Sequence, residues 1–352
     1  MSDPTTAVPR MTDIAKRAGV SRAAVSAVLM GTGQGRIRVG QETAGRIRQI
    51  AAELGYRPNQ AARQLAGQRS GVIGIVANHW GNLLTQRALA WMHAAAETHD
   101  LRVLAVYAHA SMDPVHRLMR ELRSGWIDGL VYLAHENESQ WPEVAKLFEG
   151  VNNAVVAVGN IHAAGVGSLI CDVEGAARES IQHCFERGKR RPVLVTEEVE
   201  SAFMQTRIAA YRTAAAERGM FFDDSSIVID TRGWGIDNPA FYPQFDELAL
   251  RLRHQLQADA VLCDSDFTAA GILRAFRRLG FQIPDDVAVI GWGDLQFAGM
   301  YEPTITTVSF NLTELLSRVV DRLLRSKQPS PAADSSSKVE LVPMKLLLRE
   351  ST

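Results

Sequence analysis

The chain has 352 residues, of which 46% are hydrophobic, so it is long enough to bury the cores of two or three domains. Its three cysteines show no CxxC or other paired spacing, which argues against a disulfide framework. Its nine histidines are scattered, which argues against a metal site. The first residues are polar and no later apolar stretch has the length of a membrane span. We therefore expect a cytoplasmic protein without a secretion signal, without a membrane partner and without a cofactor.

Charge is distributed unevenly along the chain. Residues 1–70 carry 11 Lys and Arg against 4 Asp and Glu, whereas the remainder carries 27 against 35, for a net charge of −1. A basic segment alone is most often a solvated face. It is also what a protein needs in order to displace the counterions of the DNA backbone, so its meaning depends on the local helical pattern.

Residues 11–54 have the apolar spacing of three short helices. Ile14, Ala15 and Ala18 fall on one face of the first helix, and Gly19 begins a tight turn. Ser21 is the predicted N-cap of the second helix. The core face of that helix holds Val25, Val28 and Leu29, and that of the third holds Ile47, Ile50, Ala51 and Leu54.

The second helix directs one row of residues outward. These residues are Arg22, Ala23, Ser26 and Ala27. Two short helices joined by a glycine turn form the helix-turn-helix unit, whose second helix enters the major groove of DNA. The pattern and the positive charge together predict that this segment binds DNA.

Beyond residue 70, short apolar runs alternate with longer amphipathic segments. The predicted strands are Val72–Val76, Val103–Tyr107, Gly129–Leu133, Ala154–Val158, Pro192–Thr196, Ile227–Ile229, Ala260–Cys263 and Val287–Gly291. The predicted helices cover 83–98, 113–123, 174–187, 203–218, 243–256 and 267–279. This alternation predicts two doubly wound parallel-sheet lobes, with a ligand at the carboxyl ends of the strands.

Several motifs occur in the order and spacing of one known family. They are Asp13-Ile14-Ala15, Ala18-Gly19-Val20-Ser21, Val25-Ser26, the run Glu-Leu-Gly-Tyr-Arg-Pro-Asn at 53–59, Ala62-Arg63-Gln64-Leu65 and Leu347-Leu348-Arg349-Glu350-Ser351. On these residues the chain resembles the LacI/GalR family of bacterial transcriptional regulators, over about residues 10–352.

The resemblance implies an all-α helix-turn-helix headpiece joined to an α/β body like that of periplasmic binding proteins. The headpiece would span 1–56, a hinge helix and linker 57–70, and an effector-binding and dimerisation domain 71–352. Within that domain, lobe one would comprise about 71–165 and 297–330, and lobe two about 166–296.

The same resemblance identifies the residues expected at DNA. They are Ser21, Arg22, Ala23, Ser26 and Ala27 of the second helix and Asn59, Ala62 and Leu65 of the hinge. In the family the hinge helix folds on operator DNA and its leucine enters the minor groove, although 59–65 also reads as an ordinary linker. Relatives often carry Ser-Arg where this chain has Ser26-Ala27, and Asn where it has Met30. Arg22 is therefore the expected guanine contact, with a phosphate contact as the alternative.

The expected effector contacts are Arg207, Asp266, Trp234, Trp80 and Trp292. The first two lie in motifs similar to the family's Arg-Leu-Ala-Gly-Phe and Asn-Asp-Leu-Met-Ala, and each alone would more often be half of an ion pair. Gly159 and Gly293 stand where relatives often carry acidic residues that bind sugar hydroxyls. An effector poorer in hydroxyls than a hexose, or an anion facing Arg207, is therefore expected.

The resulting prediction is a homodimeric repressor that binds a two-fold-related double-stranded operator and responds to a small-molecule effector, a sugar or related metabolite. The alternative is a solute-binding protein of the transport class, which the basic headpiece disfavours. An enzyme on the same body is also disfavoured, because the sequence shows no nucleophile–base pair and no GxSxG motif.

Overall fold

The computed structural model describes residues 9–30, 37–56, 69–77, 83–108, 111–133, 141–151, 154–159, 166–230, 241–325 and 339–352. The chain forms two compact units. One comprises Met1–Val72 with Glu121–Asp128, and the other comprises Ile73–Arg120 with Gly129–Thr352.

The first unit contains the three predicted helices, α1 (Met11–Ala18), α2 (Arg22–Met30) and α3 (Gln41–Glu53). Gly19 ends α1 with a φ of 64°, a left-handed conformation that glycine adopts without strain. The Ser21 hydroxyl accepts a hydrogen bond from the N–H of Ala24 at 3.1 Å, which confirms the predicted N-cap. Ile14, Val25 and Ile47, one from each helix, are fully buried together and form the core of the unit.

A six-stranded sheet in the second unit has the order β11-β5-β4-β3-β1-β2. Its strands are β1 (Val72–Ala77), β2 (Arg102–Tyr107), β3 (Gly129–Leu133), β4 (Val155–Val158), β5 (Val166–Cys171) and β11 (Val339–Val342), and its helices are α4 (Leu83–Thr98), α5 (Asp113–Arg123), α6 (Trp141–Phe148) and α11 (Leu312–Arg325). The pairs β1–β3, β3–β4, β4–β5 and β5–β11 are parallel. Apolar runs such as Val72–Ala77 suit this sheet because parallel strands are covered on both faces.

A second six-stranded sheet in the same unit has the order β12-β10-β9-β8-β6-β7. Its strands are β6 (Pro192–Thr196), β7 (Ile227–Ile229), β8 (Ala260–Cys263), β9 (Ala288–Trp292), β10 (Thr306–Ser309) and β12 (Lys345–Leu347), and its helices are α7 (Val173–Glu186), α8 (Ala202–Ala216), α9 (Phe241–Leu250) and α10 (Asp266–Arg278). Only the edge strand β12 runs antiparallel to its neighbour, β10, among the pairs that the described residues show. The two-lobe fold class predicted from the alternation is confirmed.

The lobes divide the chain differently from the sequence-based boundaries. Val166–Cys171 belongs to the first sheet, although the sequence predicts residues from 166 onward in lobe two. Thr306–Ser309 pairs with β9 in the second sheet, although the sequence predicts residues 297–330 in lobe one. The periodicity of a strand shows that it is buried but not which sheet accepts its hydrogen bonds, so crossings between the lobes were misplaced.

Candidate DNA-binding helix and ligand cavity

The outward face of α2 carries the residues expected at DNA. Ser21, Arg22 and Ala23 are exposed, and Ser26 and Ala27 are half-buried. The face begins with the side chain of Arg22, a planar donor fork that suits guanine or phosphate. Met30 stands where relatives often carry Asn. Only 3% of Met30 is exposed, so it does not face DNA in the way expected of a residue at that position.

The first unit also exposes several basic side chains outside this helix. Exposed cations among its described residues include Arg10, Lys16, Arg38, Arg46 and Arg48. Arg17 pairs instead with Glu53 at 2.9 Å, joining α1 to α3. The predicted hinge contacts Asn59, Ala62 and Leu65 lie outside the described residues.

The second unit contains a cavity of about 350 Å³ at the carboxyl ends of strands in the first sheet. Leu133, Gly159 and Cys171 mark the ends of β3, β4 and β5 along its wall. Helix α8 of the other lobe contributes Phe203 and Thr206. The cavity therefore lies between the lobes, where ligands are expected in folds of this kind.

Arg207, on α8, does not line this cavity. Its guanidinium carbon lies 3.7 Å from the centroid of the Trp292 ring, and none of the residue is exposed. Its Nε donates to the hydroxyl of Tyr211 at 2.8 Å and its Nη2 donates to the carbonyl of Cys263 at 2.6 Å. Nη1 of Arg207 and Nε1 of Trp292 are buried without a hydrogen-bond partner among the described residues.

Aromatic side chains separate Arg207 from the cavity. Phe203 lines the cavity and meets Trp292 edge to face, with ring centroids 6.1 Å apart. Phe310, also on the cavity wall, lies nearly parallel to Phe203 at 6.3 Å. Trp292 is only 3% exposed and lies behind this pair, so the cation is covered by its ring.

Asp266 is also buried away from the cavity wall. Its Oδ1 accepts the hydroxyl of Thr307 at 2.5 Å and its Oδ2 accepts the N–H of Leu295 at 2.6 Å. Burial raises the pKa of this carboxyl, and the two hydrogen bonds oppose that shift. These contacts tie the start of α10 to β10 and to the segment after β9. The carboxylate thus holds the second lobe together.

Two glycines explain why acidic side chains are missing at positions where relatives carry them. Gly159 has a φ of 138° and Gly293 a φ of 122°, conformations that side chains other than glycine's rarely adopt. Any residue with a Cβ would strain the backbone here.

Trp80 and Trp234, the remaining expected effector contacts, lie outside the described residues. The sequence prediction missed Phe203 and Phe310, the aromatic pair on the cavity wall. Only their positions in the chain could have indicated them. Phe203 lies at the start of α8 and Phe310 lies just beyond β10, each near a crossing between the lobes.

Comparison with known proteins separates the chain into two matched regions. Residues 10–59 match the bacterial regulatory proteins of the lacI family, and residues 181–352 match the periplasmic binding protein-like domain. The regulator AscG of Escherichia coli is 24% identical over 89% of this chain and 90% of its own length. Catabolite control protein A of Priestia megaterium is 23% identical over 97% and 98%.

Residues 10–59 are a LacI-family DNA-binding domain. The chain is therefore a DNA-binding transcriptional regulator, and the match at residues 10–59 excludes the alternative of a transport solute-binding protein. Its fold is that of the lac repressor dimer solved with operator and the anti-inducer ONPF, with a TM-score of 0.77, 22% identity and coverage of 97% and 98%.

Two further observations concern the described parts of the chain. None of their helices combines the length and apolar character needed to cross a membrane. No group of three or more His, Cys, Asp or Glu side chains within them is placed to hold a metal ion.

Proposed function

We propose that this regulator binds a two-fold-related operator as a homodimer and represses transcription under the control of a small molecule that binds in the cavity between its lobes. The observation that carries this proposal is the cavity itself, because both lobes contribute to its wall. A ligand that fits one arrangement of the lobes better than another shifts the population toward it.

At DNA, we assign the contacts of one half-site to Ser21, Arg22, Ala23, Ser26 and Ala27, with Asn59, Ala62 and Leu65 of each copy at the centre of the operator. The exposed face of α2 and the exposed cations of the same unit support the first group. The lac repressor, whose fold the chain shares, binds its operator as a dimer, which supports the paired arrangement. Removing the apolar wedge by Leu65→Ser should reduce operator bending and leave the headpiece folded.

A bacterial protein with this role acts in the cytoplasm, where operator DNA is located, and needs no catalytic activity. The relatives support this, since they are named as regulators. Catalytic turnover of a bound effector by the purified chain would contradict the proposal that it is not an enzyme.

The proposed function is tested with the purified full chain and fragmented genomic DNA from its source. Bound fragments should share a two-fold-related sequence, and sedimentation of the complex should give two protein copies per site. Metabolite extracts should then change the affinity of the protein for that sequence. A single copy on an unpaired half-site, or DNA binding that no extract alters, would contradict the proposal.

A further inference from the structure

We infer that Arg87 couples the two lobes of the second unit, and that this contact sets how readily the regulator changes from one lobe arrangement to another. The guanidinium of Arg87, on one lobe, and the backbone carbonyl of Asp294, on the other, form what we call the lobe bridge. This inference rests on the proposed function, because it names a residue through which the same cavity controls binding to DNA.

The lobe bridge connects the two lobes beside the cavity. Arg87 lies on α4, which packs on the first sheet, and its Nη1 donates to the carbonyl of Asp294. Asp294 follows β9 of the second sheet. Leu84 and Ala88, close to Arg87 on the same helix, line the cavity. A ligand that shifts the lobes at this wall therefore acts on the lobe bridge.

The acceptor of the lobe bridge is fixed to its own lobe. The carboxylate of Asp294 accepts Nη2 of Arg349 at 2.8 Å and the hydroxyl of Ser309 at 3.3 Å. Its backbone N–H donates to the hydroxyl oxygen of Thr307 at 3.3 Å. Since Thr307 and Ser309 belong to β10, a shift of this carbonyl carries the second sheet with it. Arg87 is thus bonded to the second lobe as a whole and not to a loose loop.

Backbone conformation sets the direction of the same carbonyl. Gly293 has a φ of 122° and Asp294 a φ of 51°, so two consecutive residues adopt the left-handed region. Asp adopts that region more readily than most other side chains, and the hydrogen bonds of its carboxylate hold it there. The acceptor is therefore presented to Arg87 in one orientation.

The chain segments that join the lobes are short. Asp172 alone separates β5 from α7, and two residues separate β10 from α11 and β11 from β12. One of these crossings contains Asn311, with a φ of 48°. Such crossings let lobes rotate, because changes of φ and ψ at a few residues are sufficient for a hinge motion. The lobe bridge joins two other elements, α4 and the loop after β9, and so restrains a rotation that the crossings permit.

The strength of the lobe bridge is suited to regulation. A hydrogen bond from a charged donor is stronger than a neutral one, but Arg87 is exposed and water competes for its guanidinium. Its loss should therefore change the ratio of two lobe arrangements by about three- to tenfold. A ligand that binds one arrangement better than the other can supply a shift of this size.

The first test measures hydrogen exchange on the full chain and needs neither operator nor effector. We expect Arg87→Ala to raise exchange at Asp294 and Leu295 by about threefold or more. Arg87→Lys should exchange as the parent does, because the carbonyl needs only one donor. Arg102→Ala is the matched control, since Arg102 is an exposed arginine at the amino end of β2, whereas the cavity lies at the carboxyl ends of the strands. Unchanged exchange in Arg87→Ala would overturn the inference.

The second test uses the operator selected from genomic DNA. Arg87→Ala should change the affinity of the protein for this operator by about threefold or more, and Arg87→Lys should restore it. Arg102→Ala removes the same charge and should change the affinity by less than about twofold, which separates the lobe bridge from a general attraction to phosphates. An affinity that Arg87→Ala leaves unchanged, or that Arg87→Lys fails to restore, contradicts the inference.

A double-mutant comparison tests the path of the effect. Arg349→Ala releases the carboxylate of Asp294, so the effect of Arg87→Ala on operator affinity should be smaller in the Arg349→Ala background. Thermal unfolding checks that each variant folds, and Ser309→Ala replaces Arg349→Ala if the latter does not. An equal effect of Arg87→Ala in both backgrounds would show that it does not act through this loop. If exchange changes as expected but no DNA sequence is bound specifically, the proposed function fails and the contact between the lobes stands.

Discussion

Asp128 accepts hydrogen bonds from both the backbone N–H and the hydroxyl of Ser70, at 2.8 and 3.0 Å. Its second oxygen accepts the N–H of Gly71 at 2.8 Å. One carboxylate thus fixes the residues between the predicted hinge and β1, where the chain enters the first sheet.

Asp128→Ala should lower the free energy of unfolding by about 1–3 kcal/mol, because it removes the acceptor of two hydrogen bonds from the buried Ser70 and one from Gly71. Urea unfolding gives the magnitude, and hydrogen exchange of residues 70–72 gives the location. Asp128→Asn retains one acceptor oxygen and should lose less. Exchange at residues 70–72 as slow in Asp128→Ala as in the parent would show that this carboxylate does not fix the segment.

Trp292→Ala should destabilise the second unit by about 3–5 kcal/mol, since it removes a large buried ring. It also uncovers the guanidinium of Arg207, which lies 3.7 Å from that ring. Benzoate should therefore bind the variant better than the parent. The control is Trp126→Ala, where the side chain is 58% exposed and the change should stay within about 0.5 kcal/mol. Equal effects of the two variants would contradict the buried position of Trp292.

The buried carboxyl of Asp266 should make the folding stability of the protein depend on pH. Burial raises the pKa of its carboxyl in the folded state above the unfolded value of about 3.9. A raised folded pKa means that the protonated form favours folding, so this contribution is fully present below the unfolded pKa. It is lost as pH rises through the folded pKa.

Asp266→Asn does not titrate and isolates this effect. We expect the stability of the parent relative to the variant to fall as pH increases from about 4. Unfolding by urea at a series of pH values measures the difference. An advantage of the parent that grows with pH would mean that the carboxylate is stabilised by its partners Thr307 and Leu295 more than burial opposes it.

Arg22 is the predicted base contact of the headpiece. Arg22→Ala should cost about 1–3 kcal/mol on the selected operator and relax the preference at one base pair. Lys16→Ala is the control for a phosphate contact and should weaken binding about equally on all sequences. Titrations on the operator and on single-base variants distinguish the two. If Arg22→Ala weakens binding equally on all sequences, Arg22 contacts the phosphate backbone of the DNA and not a base.

Local pattern was sufficient to predict much of the fold. The strands Pro192–Thr196 and Ala260–Cys263 have the bounds expected from their apolar runs. The three helices of the first unit likewise bury the expected residues, among them Ile14 and Val25. These features depend on neighbours a few residues apart, which periodicity reports directly.

Long-range contacts could not be read in the same way. Nothing in the residues around Arg207 reveals that Trp292, far along the chain, covers it. The partners of Asp266 are equally distant in sequence, at Leu295 and Thr307. A motif located the polar groups, but their availability to a ligand depends on which side chains the two sheets bring together.

The strands β11 and β12 have a consequence for how the chain folds during its synthesis. Val339–Val342 forms an edge of the first sheet and Lys345–Leu347 an edge of the second, with two residues between them. A ribosome releases the chain from its amino end, so neither sheet is complete until this segment has emerged. Neither lobe can complete its sheet before this short stretch has been synthesised. Chaperones would therefore meet two incomplete sheets with open edges, and not one complete lobe followed by another.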